Sequence, residues 1–411
     1  MRDFLPAEKA RRERMLTTIR STYRAHGFDE IETPVMEDSD RLHAGLGGDN
    51  EKLAFGVMKR GLKPEDFAKA QTAEDLVDLG LRFDLTVPLA RFYATHRAEL
   101  PAVFRSIQVA PVWRAERPQK GRYRQFVQCD IDIIGEPGII AEAELLSATL
   151  ATVDALGLEG ATIRVNDRRL LIGMLQGFGF APADHDAVLI TVDKLDKVGQ
   201  DGVIAELRGR GVTTAAVDAL EQFFRRPMTR EFLPYGEAAI RKAAAPDPDP
   251  DVVAGLAALG DAVGVDRLQF DPFLVRGMGY YTGPIFELAH PSVEYSLGGG
   301  GRYDGMIGRF LGSDVPATGF SLGFERLVEL VELPEAVEGL AIALIHDADV
   351  PPGRLMHFQR QLVAGGQRVR LVARPKNVKP TLDALAAQGF TLFAFIDADT
   401  TPESMELRDL E

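Results

Sequence analysis

Three long stretches of alternating apolar and polar residues constrain the fold of this chain more than any other feature. They run over residues 79–87, 104–115 and 124–135. Successive side chains of a β-strand point to opposite faces, so sustained alternation indicates strands with two different faces. Three such stretches, separated by one short helical segment at residues 89–100, are typical of an antiparallel sheet. We therefore expect an α+β fold built on an antiparallel sheet with helices.

Two of these stretches carry acids and amides on a single face. The polar face of the first stretch holds Arg82, Asp84 and Thr86, and that of the third stretch holds Gln128, Asp130 and Asp132. One interpretation is a half-solvated sheet whose polar residues point to water. If both strands belong to one sheet, the two faces would instead form an acidic floor. Such a floor suits a small cationic or amine-bearing ligand.

The connection between the second and third stretches is strongly basic. It contains Arg114, Arg117, Lys120, Arg122 and Arg124, and its one acid is Glu116. The chain as a whole has a formal net charge of −14, so composition does not explain this concentration of cations. The planar guanidinium group matches phosphate oxygens, and neighbouring cations repel one another unless an anion is bound. We expect a phosphate site here, with a solvated hairpin turn as the alternative.

Glycines interrupt three strand-like segments later in the chain, at residues 274–283, 296–305 and 319–326. Glycine inside a strand allows a ligand or another backbone to approach closely. The GxGxxG fingerprint does not occur between a strand and a helix, and no GxxxxGK[ST] phosphate loop is present. Any nucleotide site in this chain is therefore of another kind.

Length and patterning predict several domains, because 411 residues correspond to two or three domains of ordinary size. An Ala-, Leu- and charge-rich region predicts an inserted helical subdomain, and its Pro-Asp repeat at residues 246–251 is expected to lie outside helices and strands. Alternating strand and helix patterns near the C-terminus predict a small α/β domain. The predicted boundaries are 1–166 and 265–331 for the sheet domain, 167–264 for the insertion, 332–338 for a linker and 339–411 for the C-terminal domain.

Cysteine content and hydropathy predict where in the cell the protein is located. A single cysteine, Cys129, forms no intrachain disulfide and offers no cysteine-rich metal site. No stretch approaches ~18 consecutive apolar residues, and the N-terminus lacks the apolar core of a secretion signal. We expect a cytoplasmic protein with no membrane partner.

Five motifs occur along the chain. Three of them are Gly27–Pro34, Trp113–Glu116 with Gly121–Phe126, and Gly319–Arg326; the other two are Leu274–Tyr281 and Gly299–Asp304. In their order, the first three resemble the signature motifs of class II aminoacyl-tRNA synthetases, and the other two resemble the motifs peculiar to the histidyl-tRNA synthetases.

This resemblance implies a class II synthetase-like catalytic domain and a C-terminal domain like those that bind anticodons. The implied activity is ATP-dependent activation of histidine to histidyl-adenylate and transfer to tRNA(His), with Mg²⁺ bound through the ATP phosphates. A homodimer formed around Pro34 is also implied. Two alternatives stay open. One is a non-catalytic paralogue such as the regulatory subunit of ATP phosphoribosyltransferase, and the other is a histidine-activating enzyme with a non-tRNA acceptor.

The resemblance further implies roles for individual residues. Histidine would be bound by Asp84, at its α-amino group, and by Thr86, Gln128, Asp132, Tyr281 and Tyr303, the two tyrosines reaching the imidazole. ATP would be bound by Arg114, Glu116, Arg122 and Arg326, with Glu116 at the adenine. Arg114 and Arg276 would be catalytic. Arg276 matches an arginine that stands at the α-phosphate where related enzymes use a metal, so no dedicated metal site is implied.

Two basic regions suggest contacts to tRNA. Arg117 and Gln119 resemble the family's contact to the acceptor end. Arg374 and Lys376 belong to a run of cations in the C-terminal domain that contains no acid between Val350 and Leu382. Such a run in an acidic protein indicates a surface for phosphates more readily than a random solvated face.

Overall fold

The computed structural model of the chain describes residues 1–42, 54–117, 123–226, 233–244, 247–276, 279–333, 340–402 and 404–410. The chain divides into two units. The first comprises residues 1–4 and 8–332, and the second comprises residues 5–7 and 333–411.

A nine-stranded sheet organises the first unit. In spatial order its strands are β1 (Asp29–Glu30), β5 (Phe104–Trp113), β6 (Gln125–Ile134), β12 (Ala317–Gly323), β11 (Val293–Arg302), β10 (Pro284–His290), β7 (Thr162–Asp167), β9 (Leu268–Phe270) and β8 (Leu233–Pro234). Neighbouring strands are antiparallel from β5 through to β7. Parallel pairing joins β1 to β5 and β7 to β9. The predicted α+β fold is confirmed, and the sheet is antiparallel in its middle and mixed towards its edges.

One of the three alternating stretches does not belong to this sheet. A separate three-stranded antiparallel sheet contains β2 (Met36–Asp38), β4 (Val77–Leu81) and β3 (Phe55–Met58). The chain leaves β4 at Leu81, and helix α4 (Thr86–His96) follows. The predicted strand over residues 79–87 is therefore wrong beyond Leu81. Pro88 explains the difference, because proline is favoured in the first turn of a helix and disfavoured inside a sheet.

Helices cover the large sheet and bury its apolar side chains. They include α1 (Pro6–Ala25), α5 (Ile140–Ala155), α12 (Asp304–Leu311) and α13 (Phe324–Leu330). Helix α2 (Ser39–Leu42) instead contacts β2 and β4 of the small sheet, and α3 (Pro64–Lys69) has no buried residue. Helix α5 packs on β6 and β12, which explains why most of its residues are buried. Its Glu142 is buried in a bidentate ion pair with Arg302, at 2.7 and 2.8 Å. That pair fixes the end of β11, where the glycine-rich segment turns.

The region predicted as a helical insertion contains α6 (Arg168–Phe178), α7 (His185–Val192), α8 (Leu195–Gly209), α9 (Thr214–Phe224), α10 (Glu237–Ala243) and α11 (Pro250–Val263). The buried side chains of α6 to α9 are continuous with those of the sheet domain. Phe223 and Phe224, for example, each place a ring 5.2 Å from that of Phe273. No helix among the described residues is long and apolar enough to cross a membrane.

The Pro-Asp repeat at residues 246–251 was expected to lie outside every helix, but α11 begins within it. Pro250 occupies the first helical turn, where a missing N–H costs nothing. The Asp249 side chain caps the helix and accepts N–H bonds from Asp251 at 2.9 Å and Val252 at 3.4 Å. Pro246 lies outside the described residues.

The second unit is a small α/β fold. Its sheet has the order β14 (Arg368–Ala373), β13 (Ala341–His346), β15 (Leu392–Ile396) and β16 (Arg408–Asp409). The first three strands are parallel, and β16 adds an antiparallel edge. Helices α14 (Pro352–Ala364) and α15 (Lys379–Ala387) connect the parallel strands, and two apolar clusters fill this unit. This alternation of strands and helices is the α/β pattern predicted for the C-terminal part of the chain.

Candidate active site

The polar face of β6 is buried, not solvated. Gln128, Asp130 and Asp132 share this face, and in register across from them on β12 stand Gly323, Ser321 and Gly319. Because the β12 residues are small, they leave space in front of the polar row. The half-solvated interpretation is therefore wrong for this strand, and the acidic floor is present on β6.

Gly319 makes room for the Asp132 carboxylate. A Cβ atom at position 319 would lie 1.9 Å from Oδ1 of Asp132, so no other residue fits there without displacing that side chain. The Tyr303 hydroxyl donates a 2.6 Å hydrogen bond to the same oxygen. Burial raises the pKa of Asp132 to about 7, with the bond from Tyr303 opposing the rise and the charge of Asp84 adding to it. The Asp132 carboxyl group therefore keeps its proton to a higher pH than an exposed aspartate does.

Asp84 reaches the same pocket from a loop and not from a strand. Its Oδ1 accepts the Val87 N–H at 3.2 Å in the turn before α4. Its Oδ2 is buried and has no hydrogen-bond partner among the described residues. Burial raises the pKa of Asp84 to about 6, opposed by the Val87 bond and the charge of Arg114. Thr86, expected beside Asp84 on a strand face, is the half-buried first residue of α4.

Gln128 and Asp130 form a small polar network beside these carboxylates. The Gln128 amide donates to the Ser321 hydroxyl at 2.9 Å. Its carbonyl oxygen, Oε1, is buried without a partner in the part of the chain that the structure describes. Burial, reinforced by Asp132, raises the pKa of Asp130 well above its usual range. Buried polar groups without partners are rare, so Asp84 Oδ2 and Gln128 Oε1 indicate the place of a ligand.

Three tyrosines form one side of the pocket. The rings of Tyr280 and Tyr281 are 4.7 Å apart, and Tyr280 meets Tyr303 edge-on at 6.1 Å. A Cβ atom at Gly301 would lie 2.9 Å from the Tyr281 ring, so glycine is needed for that ring to lie against β11. The structure thus brings both predicted tyrosines together with Asp132, and it adds Tyr280.

Two of the predicted arginines border the pocket. Arg114 follows β5, and its Nε donates to the Phe83 carbonyl at 2.9 Å. Because Phe83 precedes Asp84, this bond keeps the Arg114 charge close to Asp84 and so lowers the pKa of that carboxyl group. Arg276 lies against Gly299, where a Cβ atom would be 2.7 Å from its Cζ. It donates to Glu287 at 3.1 Å.

The remaining predicted residues are more scattered. Arg326 is the third residue of α13 and donates to the Ser296 carbonyl, with its guanidinium 5.4 Å from the centre of the Tyr295 ring. Glu116 is half-buried and Arg117 is exposed after β5. Gln119 and Arg122 lie outside the described residues.

Arg374 and Lys376, the residues predicted to contact tRNA from the C-terminal domain, are both exposed in the second unit. Arg374 pairs with Asp347 at 3.2 Å and lies 4.6 Å from the centre of the Phe395 ring.

Comparison with known proteins identifies the family. A family model described as histidyl-tRNA synthetase matches residues 1–327. The chain is 58% identical over 418 aligned residues to a histidine–tRNA ligase from Leifsonia xyli subsp. xyli, and the match covers 100% of this chain and 97% of the relative. The chain belongs to the histidyl-tRNA synthetase family. A probable histidine–tRNA ligase from Tropheryma whipplei is 40% identical, with 98% of this chain and 96% of the relative covered.

Solved structures agree with membership of the histidyl-tRNA synthetase family. A histidyl-tRNA synthetase from Nostoc sp. PCC 7120 superposes with a TM-score of 0.76 at 26% identity, covering 100% of this chain and 93% of that one. A Bacillus halodurans protein, titled as an ATP phosphoribosyltransferase regulatory subunit/histidyl-tRNA synthetase, gives 0.74 at 21% identity with 97% of each chain covered. The latter shows a shared fold alone. The family predicted from the five motifs is confirmed.

Three residues at this histidyl-tRNA synthetase family site were not predicted from the sequence. Ser321 lies between Gly319 and Gly323, so strand alternation alone places it on the pocket side of β12. Tyr280 directly precedes a residue that had been predicted. Glu287 carries no local signal, because its role depends on the residues opposite it in the sheet.

Proposed function

We propose that this chain activates histidine with ATP and transfers the histidyl group to tRNA(His). One observation carries the proposal: the buried Asp84 and Asp132 carboxylates line one pocket with Tyr303, beside the charge of Arg114. Such a pocket suits an amino acid that has an α-ammonium group and a polar ring containing nitrogen. The relatives named histidine–tRNA ligases support the same conclusion.

The pocket would offer partners for the α-ammonium group and the imidazole of histidine. Asp84 would accept the α-ammonium group through its unpaired Oδ2, with Thr86 beside it. Gln128 and Asp132 would hold the rest of the amino acid, and Tyr281 and Tyr303 would close around the imidazole. A site that pairs every polar group rejects analogues that leave its own buried groups unpaired.

The arginines would position ATP for the first step. Arg114, Arg122 and Arg326 would hold phosphates, and Glu116 would meet the adenine. A histidine carboxylate oxygen bonds to the α-phosphorus while the bond to pyrophosphate breaks, which gives histidyl-adenylate. Preorganised cations at that phosphorus stabilise the charge that develops in the transition state, and we assign this to Arg276 with Arg114.

Mg²⁺ would enter this site with ATP. No group of three His, Cys, Asp or Glu side chains among the described residues is arranged to hold a metal ion. Arginines, which border the pocket, contact phosphate oxygens and not metals. The ion would be held by the β- and γ-phosphates and water, as is usual for Mg²⁺ in phosphoryl chemistry, and would neutralise the leaving pyrophosphate.

In the second step a hydroxyl at the 3′ end of tRNA would attack the histidyl carbonyl carbon and release AMP. We assign Arg117 and Gln119 to binding of the acceptor end of tRNA. We assign Arg374 and Lys376 to a second contact with tRNA. The catalytic domain would comprise residues 1–166 and 265–331, with 167–264 as its insertion. Residues 339–411 would form the anticodon-binding domain, joined by a linker at 332–338.

An exposed apolar face supports the proposed homodimer. In the three-stranded sheet, Met36 pairs with Leu81, and Leu79 pairs with Asp38 and Val57, so these side chains share one face. Met36 is 48% exposed and Leu79 is 36% exposed. An apolar sheet face open to solvent is typical of an interaction site, and the same surface on a second copy is the partner we propose.

Histidine-dependent exchange of pyrophosphate into ATP tests the first step. We expect the wild-type chain to catalyse this exchange. We expect Asp84→Asn to lose at least tenfold in affinity for histidine. Absence of exchange with retained histidine binding would favour the regulatory paralogue. Charging of tRNA(His) then separates the ligase from an enzyme with another acceptor, since only the ligase forms histidyl-tRNA.

A further inference from the structure

Four charged side chains of alternating sign form a continuous row that ends at Arg276. Arg164 donates to Asp271, and its Nη1 also donates to Oε1 of Glu287 at 2.7 Å. The other oxygen of Glu287, Oε2, accepts a 3.1 Å bond from Nη1 of Arg276. The order is therefore Asp271, Arg164, Glu287, Arg276, with each residue in contact with the next.

The sheet fixes the first three members of this row. Arg164 on β7 and Glu287 on β10 are direct cross-strand partners. Asp271 follows β9, its N–H donates to the Val165 carbonyl at 3.0 Å, and its Oδ1 accepts the Phe273 N–H at 2.9 Å. Paired backbones, together with the bonds that Arg164 makes to an acid on either side of it, leave these side chains little freedom. Glu287 is thus a rigid support with one oxygen directed towards the pocket.

Glu287 is shared between two arginines, which distinguishes it from an ordinary ion pair. In the Arg91–Glu37 pair, by contrast, Nε and Nη2 of one guanidinium both bond to one carboxylate, at 2.8 and 2.6 Å. There the carboxylate occupies a whole edge of the arginine. Glu287 engages Arg276 through one nitrogen and one oxygen only. Since a guanidinium has five N–H donors, this contact orients Arg276 and leaves donors for another anion.

One further contact restricts the position of Arg276, and two acids lie near the row. The guanidinium lies on Gly299, the residue paired with Glu287 across β10 and β11, where a Cβ atom would be 2.7 Å from Cζ. The corner between α7 and α8 also faces this row. Asp196 lies 3.8 Å from Arg164, and the charge of Asp193 acts on Arg276.

We propose that Glu287 is the positioning residue that holds Arg276 in its orientation towards the α-phosphate, with Arg164 and Asp271 fixing Glu287 in turn. The proposal rests on the role assigned to Arg276 in the proposed function. Glu287 itself touches neither substrate. It acts through Arg276, so its removal matters only while Arg276 is present.

A double-mutant cycle tests this dependence. The proteins are wild type, Glu287→Gln, Arg276→Ala and the double variant, assayed by histidine-dependent pyrophosphate exchange. Arg276→Ala should lower kcat by ~10²–10³, and Glu287→Gln by about tenfold with an unchanged KM for histidine. The double variant should match Arg276→Ala. Glu144→Gln is the matched control, because Glu144 pairs with Arg105 at 2.6 and 2.9 Å away from the pocket, and its kcat should stay within about twofold of wild type.

The outcomes separate this inference from the proposed function. Losses that multiply in the double variant, or a Glu287→Gln protein with wild-type kcat, would overturn the positioning role. If the wild type shows no exchange, the proposed function fails, and the same cycle is measured on the dissociation constant for ATP by calorimetry. The positioning role would then be upheld if Arg276→Ala and the double variant weaken ATP binding equally and Glu287→Gln weakens it less. It would be rejected if the two single changes weaken ATP binding additively in the double variant.

Discussion

The hydroxyl of Tyr303 donates a 2.6 Å hydrogen bond to Oδ1 of Asp132, and both groups are buried. Tyr303→Phe removes the donor and leaves the ionised carboxylate short of a partner, which typically costs about 1.5–3 kcal/mol of unfolding free energy. We expect a loss of this size at pH 8 and a smaller one at pH 5, where Asp132 is protonated. Urea unfolding at both pH values measures it. The exposed Tyr295→Phe serves as control, and equal losses at the two pH values would contradict the prediction.

Asp132 also makes stability depend on pH. Its pKa is about 7 in the folded chain and about 3.9 in an unfolded one. A raised pKa favours the folded state below about pH 4, and that contribution is lost as the pH rises through 7. Asp132→Asn has no such group, so its melting temperature should rise relative to wild type as the pH increases from 5 to 8. Thermal unfolding without histidine measures this, and a constant difference across the range would show that Asp132 titrates normally.

Gly319 should tolerate no side chain. In Gly319→Ala the new Cβ would lie 1.9 Å from Asp132 Oδ1, so the carboxylate must move away from Tyr303. We expect at least a tenfold loss of histidine affinity by calorimetry in a chain that still folds. Gly173→Ala is the matched control, because nothing lies within 4 Å of its added Cβ in helix α6 and alanine favours helices. Its histidine affinity should equal that of wild type.

Contacts to tRNA phosphates should appear in the salt dependence of binding. Arg374→Ala and Lys376→Ala should each weaken tRNA(His) binding and reduce the slope of log affinity against log salt by about one. Pyrophosphate exchange, which needs no tRNA, should stay unchanged. Lys9→Ala, an exposed cation paired with Glu13, controls for the overall change in charge. Unaltered slopes in both variants would place the tRNA elsewhere.

The exposed face of the three-stranded sheet should hold two copies together. Met36→Glu puts a charge on that face, and burying an unpaired charge in an interface is costly. We expect sedimentation to show a dimer for wild type and a monomer for Met36→Glu. Met58→Glu changes an exposed residue of β3, on the other side of β4, and extends the test to that strand. A wild-type monomer, or a dimer that survives both changes, would locate the interface on another surface.

Features that depend on local order along the chain could be predicted from the amino-acid sequence. Alternation put Gln128, Asp130 and Asp132 on one face of β6, because the side-chain period of a strand is two. The order of the five motifs predicted the family, and the alternating pattern after residue 339 predicted a small α/β unit. In each case neighbours in sequence are sufficient, since strand periodicity and motif spacing are local properties.

Contacts between residues that are distant in sequence could be known only from the tertiary structure. Alternation continued past Leu81, yet Pro88 and the burial of both faces took Asp84 out of the strand and into the turn before α4. Gly319 became necessary only because β12 pairs with β6 at Asp132. Glu287 and Arg164 meet only because β10 pairs with β7 in that register. Strand register is fixed by packing of the whole sheet, so no local pattern encodes which carboxylate supports which arginine.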